Sequence, residues 1–253
     1  MIGIYFSGTG NTKYCIEEFA HAYDDKIELF PLDTSVDVEK IRLHRDIIFA
    51  YPIYYSNLPK IVSDFIKQHP FLWKDKHIFI IATMGLFSGD GAGVGARLLR
   101  KHGAHITGGL HLKMPDCICD INLLKRSYEQ NRKIIYEARR KIRSAATDFK
   151  KQTPPKEGLN ILYYIAGLLG QRLWSWTKTL DYYDRVSIDT SACTGCGSCI
   201  YACPMKNLYL SKGKAKASTH CTLCYRCANQ CPRKAITILG RRVVSQYRIH
   251  DLI

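Results

Sequence analysis

The sequence predicts a two-part α/β protein: a doubly wound parallel sheet over residues 1–150, followed by a small cysteine-rich domain. Three observations carry this. In the first part, five short apolar runs rich in β-branched residues alternate with helical patterns. The first of these runs leads directly into a hydroxyl-rich loop, Ser7-Gly8-Thr9-Gly10-Asn11-Thr12. Further along, one cysteine phrase is written twice between Cys193 and Pro232.

Ile2-Gly3-Ile4-Tyr5-Phe6 is apolar throughout rather than alternating, which is the pattern of a buried parallel strand. The loop after it opens a helical pattern carrying Tyr14, Cys15, Ile16 and Phe19. Small residues let this loop curl tightly, amides at the helix start point inward, and the hydroxyls of Ser7, Thr9 and Thr12 add donors, as an anion site requires. It is neither a Walker loop nor the G-x-G-x-x-G of dinucleotide folds. Further strands are expected at Ile27–Leu32, Asp46–Tyr51, His77–Thr83 and His105–Leu112. Helices are expected at about 36–43, 59–68 and 91–102, with a long one at about 122–149.

The S-x-T-G-N-T loop resembles the FMN-phosphate loop of flavodoxins. That resemblance implies strand order 2-1-3-4-5, with the ligand at the carboxyl ends of the central strands. Two more loops fall at those ends, Tyr51–Pro59 and Thr83–Gly91. By resemblance, Ser7, Thr9, Gly10, Asn11 and Thr12 would hold the phosphate. The ring would lie against Pro52, Tyr54, Tyr55, Ser56 and Asn57 on one side and Thr83, Met84, Gly85, Phe87, Gly89 and Asp90 on the other. Tyr54 or Tyr55 would stack on it; Tyr54, Tyr55 and Phe87 each have plain core packing as the alternative. Flavodoxins commonly surround the flavin with acids, which disfavour the anionic reduced form. Here the second loop has none and the third only Asp90, so the lower flavin couple is expected above that of an acidic flavodoxin.

The doubled phrase reads Cys193-Thr-Gly-Cys196-Gly-Ser-Cys199-Ile-Tyr-Ala-Cys203-Pro204 and Cys221-Thr-Leu-Cys224-Tyr-Arg-Cys227-Ala-Asn-Gln-Cys231-Pro232. Both copies are C-x2-C-x2-C-x3-C-P, and the segment resembles a bacterial two-[4Fe–4S] ferredoxin, a small α+β fold. In such ferredoxins the fourth cysteine ligates the other cluster. Carried over, one cluster takes Cys193, Cys196, Cys199 and Cys231, and the other Cys221, Cys224, Cys227 and Cys203. Disulfides and two zinc sites are the alternatives. Triplets this dense suit a metal better than bridges, and zinc usually shows paired C-x2-C knuckles rather than a triplet with a distant Cys-Pro. Of the cysteines left over, Cys15 reads as core. Cys117-Ile-Cys119, after Met114-Pro115-Asp116, has a redox pair near the flavin as one reading, against which its single intervening residue makes a strained bridge.

Lys150–Gly158 is a linker by composition, and Leu159–Leu180 is an aromatic-rich amphipathic helix. Trp residues and a few bases suit a membrane surface; a helix packed between the two halves is the preferred reading. Residues 151–185 thus join the first part to a ferredoxin domain at 186–240, with a tail at 241–253 that would add a strand or pack on the first part. Lys212–Lys216 is expected to be a hairpin or loop. No secretory pattern precedes Ile2 and no apolar stretch is long enough to span a membrane, so a reducing cytoplasm is expected.

The formal charge is +15. Eight thiolates around two oxidised clusters bring it to about +11, and a flavin phosphate to about +9. Residues 186–253 hold ten Lys/Arg against Asp189 and Asp251, a surplus of +8. Compensation of anionic cofactors and docking to acidic redox partners is preferred over nucleic-acid binding. The whole chain resembles the flavodoxin–ferredoxin fusion proteins of anaerobic microbes. That implies an electron carrier linking FMN, two [4Fe–4S] clusters and external partner proteins. An FMN-dependent reductase of a quinone, nitro or azo compound and an iron–sulfur redox sensor are the other classes. Cofactors far apart in one chain would require domain motion or a neighbouring protomer, hence a homo-oligomer.

Overall fold

Alternation within the strands decides the layers. In β1 (Ile2–Tyr5), Ile2 and Ile4 face one core while Tyr5 faces another. β3 (Asp46–Pro52) sends Ile47, Phe49 and Tyr51 to the first core and Ile48 and Ala50 to the second. β4 (His77–Met84) divides likewise, with Ile78 and Ile80 opposite Phe79 and Ile81. A sheet buried on both faces needs helices on both. In the computed structural model, which describes residues 1–33, 36–86, 89–167 and 185–253, α1 (Asn11–Tyr23) and α5 (Tyr128–Lys150) cover one face. The other is covered by α2 (Val38–Arg42), α3 (Lys60–Gln68) and α4 (Gly91–Arg100). With β2 (Glu28–Pro31) and β5 (His105–Lys113), the sheet is wholly parallel in the order β2-β1-β3-β4-β5. The expected strand order is therefore observed.

α5 begins at Tyr128 rather than near 122. Ser127 Oγ accepts the Gln130 N–H at 3.2 Å and Gln130 Oε1 accepts the Ser127 N–H at 2.9 Å, a reciprocal cap that fixes the start. Asn122–Leu124 is a separate 3₁₀ turn. The Pro-Pro segment is not a loose tether. It runs beside β5, with Gly109 N–H donating to Pro155 O and Glu157 N–H to Gly109 O, both at 2.8 Å. α6 (Ile161–Gly167) follows, packing Tyr164 under Arg97 and Tyr163 against His111 while Ile161, Leu162 and Ile165 stay exposed. The rest of the expected 159–180 helix, from 168 onward, lies outside the described residues. Among the described residues no helix is long and apolar enough to cross a membrane.

The cysteine-rich part pairs β6 (Ser187–Ile188) antiparallel with β9 (Ile236–Thr237). Between them lie two short helices, α7 (Ser198–Ala202) and α8 (Arg226–Gln230), and a hairpin of β7 (Leu208–Ser211) and β8 (Lys214–Ala217). Lys212 and Gly213, both left-handed, turn the hairpin. The tail adds no strand. It crosses back to the first part, where Tyr247 and Ile249 are buried in the core shared by α1 and α5.

Candidate functional site

The carboxyl ends of β1, β3, β4 and β5 converge on a cavity of about 240 Å³. It opens where the strand order reverses between β1 and β3, the usual ligand crevice of a doubly wound sheet. Of the residues expected around FMN, Ser7, Thr9, Asn11, Thr12, Pro52, Tyr54, Tyr55, Thr83, Met84 and Gly85 line it. Gly10 instead caps α1 in a left-handed conformation at φ 101°. Tyr55 and Ser56 are both left-handed, forming a tight turn closed by the Tyr54–Asn57 bridge, and this carries Asn57 into a neighbouring groove. Gly89 turns the chain into α4. Asp90 is fully buried at the start of that helix, its carboxylate 2.6 Å from Arg97 and not on the cavity wall. Phe87 lies outside the described residues.

The donors suit a phosphate-bearing flavin. Ser7 Oγ is buried and has no hydrogen-bond partner among the described residues. No acid stands in the first turn of α1, so that helix end can face an anion. Thr12 Oγ1 lies 2.8 Å from Thr83 Oγ1, tying the phosphate loop to the end of β4. Asn11 is held from both sides: its Nδ2 donates to Pro115 O at 2.8 Å, and its Oδ1 accepts from Tyr247 OH at 2.6 Å. The rest of the wall is largely aromatic or apolar, through Tyr54, Tyr55, Met84, Leu86 and Met114. Burial pushes the Tyr54 phenol and the Cys117 thiol well above their ordinary values, so both stay neutral.

Two stretches of this wall go beyond the site residues expected from the sequence, which offers only the Cys117–Cys119 pair as a redox pair near the flavin. One is the loop after β5, which brings Met114, Pro115, Asp116, Cys117 and Ile118 into the cavity. Its position at a strand's carboxyl end was the available signal. The other comes from the second cysteine phrase, whose Leu223 and Tyr225 close the cavity on that side. Those two positions are glycines, Gly195 and Gly197, in the first phrase. All four residues have left-handed φ: 72° and 76° for the glycines, 59° and 57° for Leu223 and Tyr225. The glycines accept this conformation freely, whereas for a bulky residue it costs about 1–3 kcal/mol.

The thiols gather around two further cavities. Cys193, Cys196, Cys199 and Cys231 line one, and Cys203, Cys221, Cys224 and Cys227 line the other. Among the described residues no three His, Cys, Asp or Glu side chains converge on a single-ion site. Four thiols spread around a void fit a multi-iron cluster, whose ligands bind separate irons. Thr222 Oγ1, on the second of these cavities, is buried without a hydrogen-bond partner among the described residues. Burial raises Cys221 to about 12 and Cys224 to about 11, so holding these thiolates requires a metal's charge. Exposed Cys196 is shifted downward instead, first by the Ser198 hydroxyl.

The second phrase is bolted to the first part. The Arg226 guanidinium donates to Ser7 O at 2.6 Å and Gly8 O at 3.1 Å, and pairs with the Asp33 carboxylate. A Cβ on Gly8 would strike the Cys224 carbonyl, so only glycine permits this approach. Tyr225 OH donates to Asp120 Oδ1 at 3.0 Å, and Asp120 Oδ2 accepts the Ile238 and Leu239 amides at 2.7 and 3.0 Å. Asn229 Nδ2 donates to Cys117 O at 2.9 Å while its Oδ1 accepts the Tyr247 N–H at 2.7 Å.

This arrangement sets a crevice suited to a flavin beside a cysteine phrase with the spacing of a cluster-binding loop. Comparison with known proteins gives the family. A flavodoxin domain is matched over residues 2–102 and a 4Fe-4S dicluster domain over residues 185–232. A ferredoxin of Pyrobaculum islandicum is 40% identical over 60 residues, which are 23% of this chain and 56% of that relative. Among solved structures, Megasphaera elsdenii flavodoxin is 20% identical over 58% of this chain and 99% of its own, with a TM-score of 0.43. Fusobacterium nucleatum flavodoxin bound to flavin mononucleotide is 17% identical over 60% and 97%, with a TM-score of 0.43. The chain is a flavodoxin–ferredoxin fusion.

Proposed function

We propose that the protein carries electrons between FMN in the β1–β5 cavity, two [4Fe–4S] clusters and external redox proteins. Cys203, Cys221, Cys224 and Cys227 hold the cluster beside the flavin, and Cys193, Cys196, Cys199 and Cys231 hold the outer one. One observation carries the reading: Tyr225 lines both the flavin cavity and the cavity of Cys203, Cys221, Cys224 and Cys227. A flavin exchanges electrons singly or in pairs and a cluster one at a time, so this contact converts between the two within one chain. No neighbouring protomer is required for that step.

The outer cluster supplies the exit. Cys196 is exposed, Tyr201 is 93% exposed, Arg233 lines the cavity of Cys193, Cys196, Cys199 and Cys231, and Lys214 Nζ donates to Cys193 O at 2.5 Å, which puts positive charge at that end. An acidic partner protein is the complementary docking surface. Anaerobically purified protein should show flavin bands on a broad iron–sulfur shoulder, with FMN and about eight irons per chain. A colourless protein carrying zinc would end this reading.

A further inference from the structure

Among the described residues lining the flavin cavity, Asp116 is the single carboxyl group. It is also a wall of a second cavity, of about 50 Å³, whose lining includes Lys125, Arg126, Asn131, Ser245 and Gln246. Ile118 and Leu124 likewise border both spaces, so the two cavities lie back to back with Asp116 between them. The smaller one is polar and large enough for ordered water. Asp116 Oδ1 accepts the Ile118 N–H at 2.9 Å, which fixes the carboxyl plane. Oδ2 lies against Gly85 at the end of β4: a Cβ there would sit 2.5 Å from it. Glycine at 85 thus leaves the acid access to the space where the sheet delivers its ligand.

We infer that Asp116 is a proton relay, giving a proton to the flavin as electrons arrive and regaining it from water in the cavity behind. This rests on FMN occupying the first cavity. For each electron pair supplied by the clusters or an external one-electron donor, one O–H bond of Asp116 breaks and the proton goes to the reduced ring. The carboxylate then takes a proton from solvent, so charge balances without another reductant. Burial raises the Asp116 carboxyl above the usual carboxylate range; the Ile118 N–H and the Arg126 charge oppose this more weakly. The other titratable groups lining the two cavities are Cys117, Cys119, Lys125, Tyr54, Tyr55, Tyr225 and Tyr247; burial holds the two thiols and the phenols of Tyr54, Tyr225 and Tyr247 neutral. Asp116 is therefore protonated below its raised pKa, and proton delivery is lost as the pH rises through it.

The test is stopped-flow bleaching of the flavin by dithionite in FMN-loaded, cluster-loaded protein across pH 5–9, for wild type, Asp116→Asn and Asp116→Glu. Carbon-13 NMR titration of the Asp116 carboxyl in FMN-free protein is the second readout. Below the Asp116 pKa seen by NMR, Asp116→Asn should reduce about 100-fold more slowly, and Asp116→Glu should recover much of the rate. The wild-type rate should fall with rising pH along the Asp116 titration seen by NMR, and this ionisation should vanish from the Asp116→Asn profile. An FMN-loaded Asp116→Asn protein that matches wild type in rate and pH profile overturns the inference alone. If Asp116→Asn does not retain FMN, the wild-type profile decides, and one that is flat or rises with pH overturns it. Wild-type protein that takes up no FMN sinks the proposed function and this inference with it.

Discussion

The two cysteine phrases share one spacing and differ in nearly everything between the cysteines. In the first, the intervening positions are Gly195, Gly197 and Ser198, with Tyr201 facing solvent. In the second, the corresponding positions are Leu223, Tyr225, Arg226 and Asn229, and all four reach the flavodoxin half. The loop geometry is the same, since left-handed φ recurs at both pairs of positions. The first copy meets it with glycine and remains an exposed tip. The second accepts strain to place a leucine and a tyrosine on the flavin cavity. The two copies thus share the cysteine spacing, and their placement in the assembly is set by the residues between the cysteines.

The widest difference should appear on cutting the bolts. Arg226→Ala leaves the largely covered Asp33 carboxylate and the Ser7 and Gly8 carbonyls without their cation, which should cost about 3 kcal/mol in denaturant unfolding. Ser198→Ala, at the matching position, should change stability by less than about 0.5 kcal/mol. Equal losses at the two sites would contradict an asymmetric role. Writing the first copy's residues into the second, as Leu223→Gly with Tyr225→Gly, removes one cavity wall. FMN affinity measured by flavin fluorescence should weaken at least about tenfold, or about 1.4 kcal/mol. Unchanged affinity would show that the cluster loop merely neighbours the flavin.

Acid provides a control away from the cysteine phrases. His111 accepts the Ala92 N–H at 3.0 Å, and burial lowers its pKa to about 4 from an ordinary 6.5. A depressed histidine pKa means the unfolded chain binds the proton first. Its contribution of about 3 kcal/mol is therefore intact above pH 6.5 and lost as the pH falls toward 4. Unfolding measured between pH 7 and 4.5 should lose less stability in His111→Gln than in wild type; parallel curves would refute the assignment. The smallest effect belongs to the exposed tip. Tyr201→Ala should leave stability within about 0.5 kcal/mol while slowing reduction of an acidic acceptor protein; an unaltered rate would remove the tip from the docking face.

The parallel sheet was legible because its strands are continuous apolar runs, and the phosphate loop because its chemistry sits in six adjacent residues. The cysteine phrases were legible because their spacing is local. What escaped were contacts that neither the sheet order nor a local motif announces. Asp116 is ordinary in sequence and becomes notable only because β5 ends beside β4, bringing it against Gly85. Leu223 and Tyr225 look like filler between ligands until the second phrase is docked. Asp90 shows the same effect: adjacency in the loop suggests the flavin, while in the fold Arg97, two turns along α4, pairs with it off the cavity wall.

The return of the tail has a consequence for how the molecule can be taken apart. Tyr247 and Ile249 sit in the flavodoxin core, and Tyr247 also holds Asn11 of the phosphate loop. The ferredoxin segment is therefore anchored by its second phrase and by the tail that follows it, and the two halves are interleaved rather than strung in series. A protease nick within 151–158 should leave both fragments travelling together on a sizing column. Neither half can be moved into another protein as an independent cassette without carrying a piece of its neighbour.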